Sequence, residues 1–279
     1  MVKKLEVLAV IPARGGSKGV PRKNIRDFAG FPLIAYSLAA GRQAERVTRV
    51  VVSTDDREIA DTALEFGAEV PFLRPQELAQ DVTPDLPVFE HVLHWLWENE
   101  GYHPDLVVQL RPTSPVRPVG LIDRAVDILI EHPDADSVRG VVPAGQNPYK
   151  MWCIHPAGHM KPLLNLEAIK EPYNAPRQVL PPVYWQTGHI DVIRPEVIEE
   201  KKSMTGEMIL PVEIDPAFTV DIDNLRDWAR SEWLVQERNL DMVYPGYKAR
   251  PWPENVALVV FDFDGVMTDD RVWVNAAGE

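Results

Sequence analysis

Residues 12 to 30, PARGGSKGVPRKNIRDFAG, place five cations, Arg14, Lys18, Arg22, Lys23 and Arg26, in a stretch that also carries Gly15, Gly16 and Gly19. Glycines let backbone amides close on an anion and guanidinium or ammonium groups neutralise it, so the combination suits phosphate. It matches neither familiar phosphate template: there is no GxGxxG, and no Lys-Ser or Lys-Thr follows a GxxxxG spacing. A solvated basic turn is the bland alternative, weakened because the charges sit in a glycine-rich loop directly after an apolar run. Far along the chain, TVDID (219–223) offers Asp221 and Asp223, which the two-residue period of a strand sends to one face. Paired hard carboxylates suit Mg²⁺, which takes few protein ligands and completes its shell with phosphate and water. Asp223 could instead cap the helical pattern that follows, but capping leaves Asp221 unexplained. Arg111, Thr113 and Ser114, in LRPTSP, follow another strand pattern and could reach a nucleotide or sugar; a proline-rich turn with a surface arginine is the competing reading.

A loop that presents anion donors needs a rigid strand behind it. LEVLAVIPA (5–13) reads as a strand, PLIAYSLAAGRQA (32–44) as a helix, TRVVVSTDD (48–56) as a strand and REIADTALEFG (57–67) as a helix closed by Gly67. FEHVLHWLWENEG (89–101) and GLIDRAVDILIEHP (120–133) read as helices around the strand DLVVQLRP (105–112). His91, His94, Trp95 and Trp97 are helix packing on this reading. The alternation predicts an α/β class, a Rossmann-like domain with a mostly parallel sheet, whose ligands bind beyond the carboxyl ends of the strands. Residues 12–30 follow such an end. From about 134 to 218 the pattern breaks, and DSVRGVVPA and YWQTGHIDVIR read as strands inside a proline-rich insertion that could shape a substrate pocket. NLRDWARSEWLVQERNL reads as a last helix. YPGYKARPWPENV (244–256), with three prolines and one glycine, reads as a linker that closes a first domain over 1–243.

With 279 residues, 45% of them hydrophobic, the chain can bury a substantial core. Twenty-nine basic against 42 acidic residues leave a formal charge of −13, which repels phosphate backbones and anionic lipid over most of the surface. Neither nucleic acid nor a membrane is expected as a partner. Cys153 is the only cysteine, which excludes an internal disulfide and a cysteine-rich zinc site and fits a reducing cytoplasm. The opening MVKKLEVLAVIPARGG has the lysines and apolar run of a leader, but Glu6 interrupts it and Pro12 ends it, so it reads as the first strand. No other apolar run approaches the roughly 18 residues of a membrane helix.

IPARGGSKGVPRKNI resembles the opening motif of the cytidylyltransferases that activate sialic acids and related nonulosonic acids as CMP-sugars. VVVSTDD, FLRPQELAQD, LRPTSPVR, PRQVLPPVYWQTGHI and TVDIDN follow in that family's order and spacing, so the resemblance covers about residues 5 to 240. It implies a nucleotidyltransferase domain with an inserted dimerisation and substrate region. The implied reaction is attack by the anomeric hydroxyl of a sugar acid on the α-phosphorus of CTP, with loss of pyrophosphate. Arg14 and Lys18 match the family positions that stabilise the triphosphate, with Ala13, Gly15, Ser17, Lys23 and Asn24 beside them. Arg74 and Asp81 match a segment that lies against the cytidine, and Arg111 and Thr113 join the nucleotide set. Asp221 and Asp223 match the acids that hold the catalytic Mg²⁺. Arg177 matches the position expected to grip the sugar carboxylate, a task for a planar bidentate donor, with Ser114, Lys150, Gln178 and Gln186 as further sugar-site candidates.

At Thr187-Gly188-His189 the sequence departs from the NGA-type pattern of ordinary sialic-acid enzymes, where asparagine stands at the Thr187 position. That leaves the sugar open, and His189 either reads a different substituent or is a structural strand histidine. The resemblance also implies a homodimer in which part of the 134–200 insertion reaches the partner. Two alternatives stay open: a relative that activates another sugar acid such as 3-deoxy-octulosonate or uses a different nucleotide, and a non-catalytic nucleotide-binding scaffold for a fused phosphatase. The second rests on DFDGVMTD, which resembles the first motif of haloacid-dehalogenase-type phosphatases. In that family the aspartate at Asp262 is the nucleophile and that at Asp264 the general acid and base. Residues 257–279 lack the lysine and metal carboxylates that complete such a site, so the expectation is a two-domain protein cut short just inside its second domain.

Overall fold

Val7–Pro12 (β1) is apolar at both parities, as a strand covered on both faces must be. In the computed structural model, which describes residues 5–237 and 240–246, β1 lies inside a six-stranded sheet. It is followed by the small antiparallel ribbon β2 (Asp27–Phe28) and β3 (Phe31–Pro32), then α1 (Leu33–Gln43), β4 (Arg49–Ser53), α2 (Arg57–Glu65), α3 (Asp85–Glu100), β5 (Leu106–Gln109) and α4 (Leu121–Glu131). Next come β6 (Ser137–Pro143), a second ribbon of β7 (Trp152–Ile154) and β8 (Met160–Pro162), β9 (Tyr184–Ile193), α5 (Pro195–Glu199), β10 (Ile209–Glu213) and α6 (Leu225–Glu237). The sheet runs β10-β6-β9-β5-β1-β4. Its β1–β4, β1–β5 and β10–β6 pairs are parallel, and β9 is antiparallel to both neighbours. The chain therefore has the expected α/β class with a mostly parallel sheet.

Strand alternation sorts the helices into two layers. Val7, Ala9 and Ile11 of β1 pack with Ile34 and Leu38 of α1 and with Val126 and Leu129 of α4. Leu8 and Val10 face the other way, onto Val88, Phe89 and Leu96 of α3 and Val197 and Ile198 of α5. Each such side chain contributes about 1.5–3 kcal/mol when fully buried, so the strands that carry the loops are held rigidly. Asp56 caps α2, accepting from the amides of Glu58 at 2.8 Å and Ile59 at 3.2 Å. Helix α3 begins at Asp85, ahead of the expected residue 89, because Pro87 falls in the first turn, where its missing N–H leaves no gap.

Residues 219–223 do not form the expected strand. The 3₁₀ turn Pro216–Phe218 precedes them and a helix follows directly, which leaves no room for a ladder. Ile222 instead donates a backbone hydrogen bond to the Thr113 carbonyl at 2.9 Å. Val220 and Ile222 are buried in a cluster with Phe28, Tyr36 and Trp228, and Asp221 and Asp223 are exposed on either side of Ile222. The helix is capped by Asn224, whose side-chain oxygen accepts from Arg226 N at 2.9 Å and Asp227 N at 3.1 Å. Asp227 reaches back to the amides of Asp223 at 3.2 Å and Asn224 at 3.3 Å. This reciprocal box leaves the Asp223 carboxylate out of the cap.

Strand β9 is long enough to leave the sheet. Asp191 to Ile193 pair with both β5 and β6, whereas Tyr184 to Gln186 pair with Val141 to Pro143 of β6 beyond a register shift. The two strands thus run out as an arm, with residues 144–183 at its end. The compact unit that holds the sheet runs to Pro245 and a second begins at Gly246. Asp262 and Asp264, and most of the 244–256 linker, lie outside the described residues. Among the described residues no helix is long and apolar enough to cross a membrane.

Candidate active site

Strands β1, β4 and β5 end side by side, and the loops that leave them border a cleft of about 330 Å³. Arg14, Ser17, Lys18, Gly19, Lys23 and Asn24 line it from the first loop, facing Arg74, Asp81, Asp85, Arg111, Thr113 and Asp223. Ala13 fixes the root of the loop, its amide donating to the Ser53 carbonyl at 3.0 Å. Asn24 holds the loop's shape through a 2.9 Å bond from Nδ2 to the Arg14 carbonyl. Gly19 lies so close to the backbone oxygen of Asp223 that a Cβ at 19 would overlap it. Glycine at this position is what lets the basic loop touch the acidic segment. The Gly15 amide, expected to be open to an anion, donates instead to Asp55 Oδ1 at 3.0 Å.

Charge in the cleft is arranged in two groups. Arg14 Nη1 meets Asp81 Oδ1 at 2.5 Å, and Lys18 pairs with the other oxygen of the same carboxylate. Hydrogen bonds from Lys18 and then Arg14 hold the Asp81 carboxyl below its ordinary range. Asp81 therefore clamps the two cations expected to meet the triphosphate. In the second group, Lys23 Nζ donates to the Ile222 carbonyl at 2.7 Å. Burial pulls the Lys23 ammonium below its usual value, opposed by Asp223 and Asp221. The Asp221 carboxyl is raised, first by desolvation; the Thr113 hydroxyl, hydrogen-bonded to it, acts against this, and the neighbouring charge of Asp223 adds to it. A like-charged pair only partly compensated by Lys23 and, at Asp221, by Arg111 is a place where a divalent cation fits. Among the described residues no cluster of three or more potential ligands forms, so the pair suits an ion that takes its remaining ligands from phosphate and water.

Arg74 borders the cleft but is structural in its contacts. Its guanidinium is buried, donates from Nε to Ser53 Oγ at 3.0 Å and also bonds the Ser53 carbonyl, and burial lowers it to about 10. Ser114 does not reach the cleft: it is fully buried, with its Oγ packed against Gly188. The remaining sugar-site candidates separate. Arg177 and Gln178 line a different cavity of about 500 Å³ with Asn147 and Tyr184, and Arg177 Nη2 donates to the Ala144 carbonyl at 2.9 Å. Lys150 Nζ is bonded to the Ala175 carbonyl at 2.6 Å, and the exposed Gln186 accepts from Arg139 Nη1 at 3.0 Å.

Thr187 and His189 point into the protein. The Thr187 hydroxyl bonds the Gly140 carbonyl at 3.3 Å. His189 is fully buried, with Nε2 at 3.0 Å from the Phe218 carbonyl. Burial, then the charge of Arg117, pushes its imidazole down to about 4. Of the two readings of His189, the structural one matches these contacts.

Sequence reasoning missed several residues that shape the site. Asp85 accepts from Gln109 Nε2 and Arg111 Nη2, each at 2.8 Å. Fully buried Arg117 ties the Arg111 carbonyl at 2.7 Å to the His189 carbonyl at 2.8 Å. Asp191, buried in β9, pairs with Arg111 and Arg139. A carboxylate within the apolar run HIDVI was the available signal for Asp191. Nothing in spacing marked Asp85.

Fold and cleft together define a nucleotide-handling α/β protein, with a cationic glycine loop held against a carboxylate pair. Residues 8–151 match the cytidylyltransferase family. A CMP-N,N'-diacetyllegionaminic acid synthase of Legionella pneumophila is 36% identical over 236 residues, spanning 83% of this chain and 97% of that protein. N-acylneuraminate cytidylyltransferase A of Danio rerio is 31% identical over 278 residues, 99% of this chain and 60% of that protein. Among solved structures, a CMP:2-keto-3-deoxy-manno-octonic acid synthetase complexed with CTP shares the fold with a TM-score of 0.62 at 17% identity, covering 84% of this chain and 99% of that one. The chain belongs to the cytidylyltransferase family and is a nucleotidyltransferase.

Proposed function

We propose that the protein transfers the cytidylyl group of CTP to the anomeric hydroxyl of a sialic-acid-like nonulosonic acid, releasing pyrophosphate. The observation that carries this reading is the contact of Gly19 with Asp223, which brings the Arg14–Lys23 loop and Asp223 to one cleft, with Asp221 two residues away and hydrogen-bonded to Thr113 of the cleft lining. The names of the relatives support the sugar class. On binding, triphosphate oxygens replace Asp81 as the partners of Arg14 and Lys18, which then meet the charge that develops on the departing pyrophosphate. Lys23 steadies the backbone at Ile222 and so the carboxylates on either side of it. Asp221 and Asp223 would hold Mg²⁺, which supplies charge neutralisation at the phosphates. Arg111 and Thr113 form the wall of the cleft opposite the loop.

The sugar-acid grip falls to Arg177, with Lys150 and Gln178 near it. Their cavity shares no lining residue with the nucleotide cleft among those described, which favours a homodimer in which one chain's arm completes the other's site. The exposed apolar side chains of the arm, Trp152, Ile154, Met160, Val179 and Trp185, support the same assembly. The exposed free thiol of Cys153 suits a reducing compartment, the cytoplasm. The test is pyrophosphate release from CTP and Mg²⁺ over a panel of N-acetylneuraminate, diamino-dideoxy nonulosonates and octulosonate. Release with a nonulosonic acid is expected. Release with octulosonate alone, or with none while CTP still binds, would sink the reading.

A further inference from the structure

Strand β9 carries an acid where its neighbours are apolar. The Asp191 side chain is 1% exposed, and Ile190, Val192 and Ile193 around it are fully buried. Both carboxylate oxygens are engaged: Oδ2 with Arg111 Nη1 at 3.0 Å and Oδ1 with Arg139 Nε at 2.6 Å. The ladder register explains the meeting, because Asp191 is paired with Gln109 of β5 on one side and with Arg139 of β6 on the other. From that row the contacts continue in both directions. Arg111 Nη2 reaches Asp85 Oδ2 at 2.8 Å and Gln109 Oε1 at 3.2 Å, and Arg139 Nη1 reaches Gln186 Oε1 at 3.0 Å. One end of the row, Asp85 and Arg111, lines the nucleotide cleft. The other end, Gln186, sits at the base of the arm, where β9 leaves the sheet.

A buried ion row is a poor choice if stability alone is at stake, since apolar side chains of similar volume serve as well or better. What it does provide is a fixed guanidinium. We infer that Asp191 is a positioning residue for the cytidylyl transfer proposed above, on which this inference rests. With Asp85 it immobilises Arg111 at the cleft wall. The N–H groups of Arg111 not used in the row remain for an anionic oxygen of the substrates, from the nucleotide phosphates or the sugar carboxylate. Arg139 and Gln186 tie that guanidinium to the arm, so the row joins the nucleotide cleft to the part of the chain that carries Arg177.

A double-mutant cycle tests the assignment. Wild type, Asp191→Asn, Arg111→Gln and the double variant are compared in pyrophosphate release, with CTP and sugar acid varied separately. Asp191→Asn is expected to lower kcat/KM by about tenfold or more, as misplaced catalytic-site groups do. In the Arg111→Gln background the same change should alter it by less than about twofold. A rise in KM for CTP assigns the contact to phosphate, and a rise in KM for the sugar acid assigns it to the carboxylate. Equal losses in both backgrounds, or an Asp191→Asn enzyme within about twofold of wild type, would overturn the inference. If Asp191→Asn does not fold, Arg139→Gln takes its place: a loss that vanishes without Arg111 supports the row, and one that persists refutes it. Absent turnover in wild type would strike at the proposed reaction, and the cycle is then read on CTP affinity by calorimetry with the same criteria.

Discussion

Gly19 is the residue on which the site most depends. Any side chain there meets the Asp223 backbone, not the yielding tip of a flexible group. Gly19→Ala should therefore push the basic loop away from the carboxylates and reduce kcat/KM by about 100-fold. The cost to global stability should stay near 1–3 kcal/mol, as for other overpacked positions. Turnover within about twofold of wild type, with unfolding followed in parallel, would show that the contact does not set the geometry. His189 makes a separate prediction. Its imidazole is held neutral, down to about 4 by burial, whereas in the unfolded chain it titrates near 6.5. Above the unfolded value both states are neutral and its contribution to stability is fully present. As pH falls from 6.5 towards 4 the unfolded chain takes up a proton that the native state refuses, and stability falls. The loss between pH 6.5 and 5 should be about 1.5 kcal/mol. Urea midpoints across that range should slope less in His189→Gln, and parallel slopes would mean that other groups carry the acid sensitivity.

At the scale of elements, the long helices α1 to α4 and α6 and the parallel strands β1, β4 and β5 are legible because apolar periodicity reports burial, and burial is what makes them form, whereas the short α5 and the edge strand β10 carry too little of that pattern to be read. The strand reading of TVDID failed for an instructive reason. Val220 and Ile222 alternate with Asp221 and Asp223 in burial, but burial alternation needs only a buried side to pack against, and a ladder needs a neighbouring strand. The separation of Arg177 from the cleft was illegible for another reason, since order along a proline-rich insertion does not say where an arm points. The helix expected after TVDID forms, and the alternative that Asp223 caps it gives way to Asn224, one residue on. Asn224 and Asp227 form the box, and Asn224→Ala should cost about 1 kcal/mol in chemical denaturation. Because Asp227 also holds the Asp223 amide, the same variant should weaken the Mg²⁺ dependence of turnover. An unchanged Mg²⁺ titration would separate the cap from the carboxylate pair.

For the whole molecule, the question is how the proposed grip for the sugar carboxylate and the proposed clamp for the triphosphate can serve one reaction while lying in two cavities. Within one chain, Arg177 is engaged with the Ala144 carbonyl at the arm's end, and Arg14 sits in the loop after β1. A second copy resolves this if its arm lies over the first copy's cleft. The exposed apolar residues of the arm would then be interface, and Ile154→Glu with Trp185→Glu should shift light scattering from dimer to monomer. Closed two-fold assembly makes the stronger prediction. Arg14→Ala and Arg177→Ala should each abolish turnover as homodimers. After the two are mixed and allowed to exchange, each heterodimer holds one cleft with an intact Arg14 from one chain and an intact Arg177 from the other. Random exchange puts half the dimers in this form with one working site of two, so activity should return to about a quarter of wild type. Both substitutions fall in the second cleft, so that site stays silent. If mixing restores nothing although native mass measurement shows heterodimers, Arg177 serves its own chain. The arm must then fold back over its own cleft, and the apolar face needs another occupant.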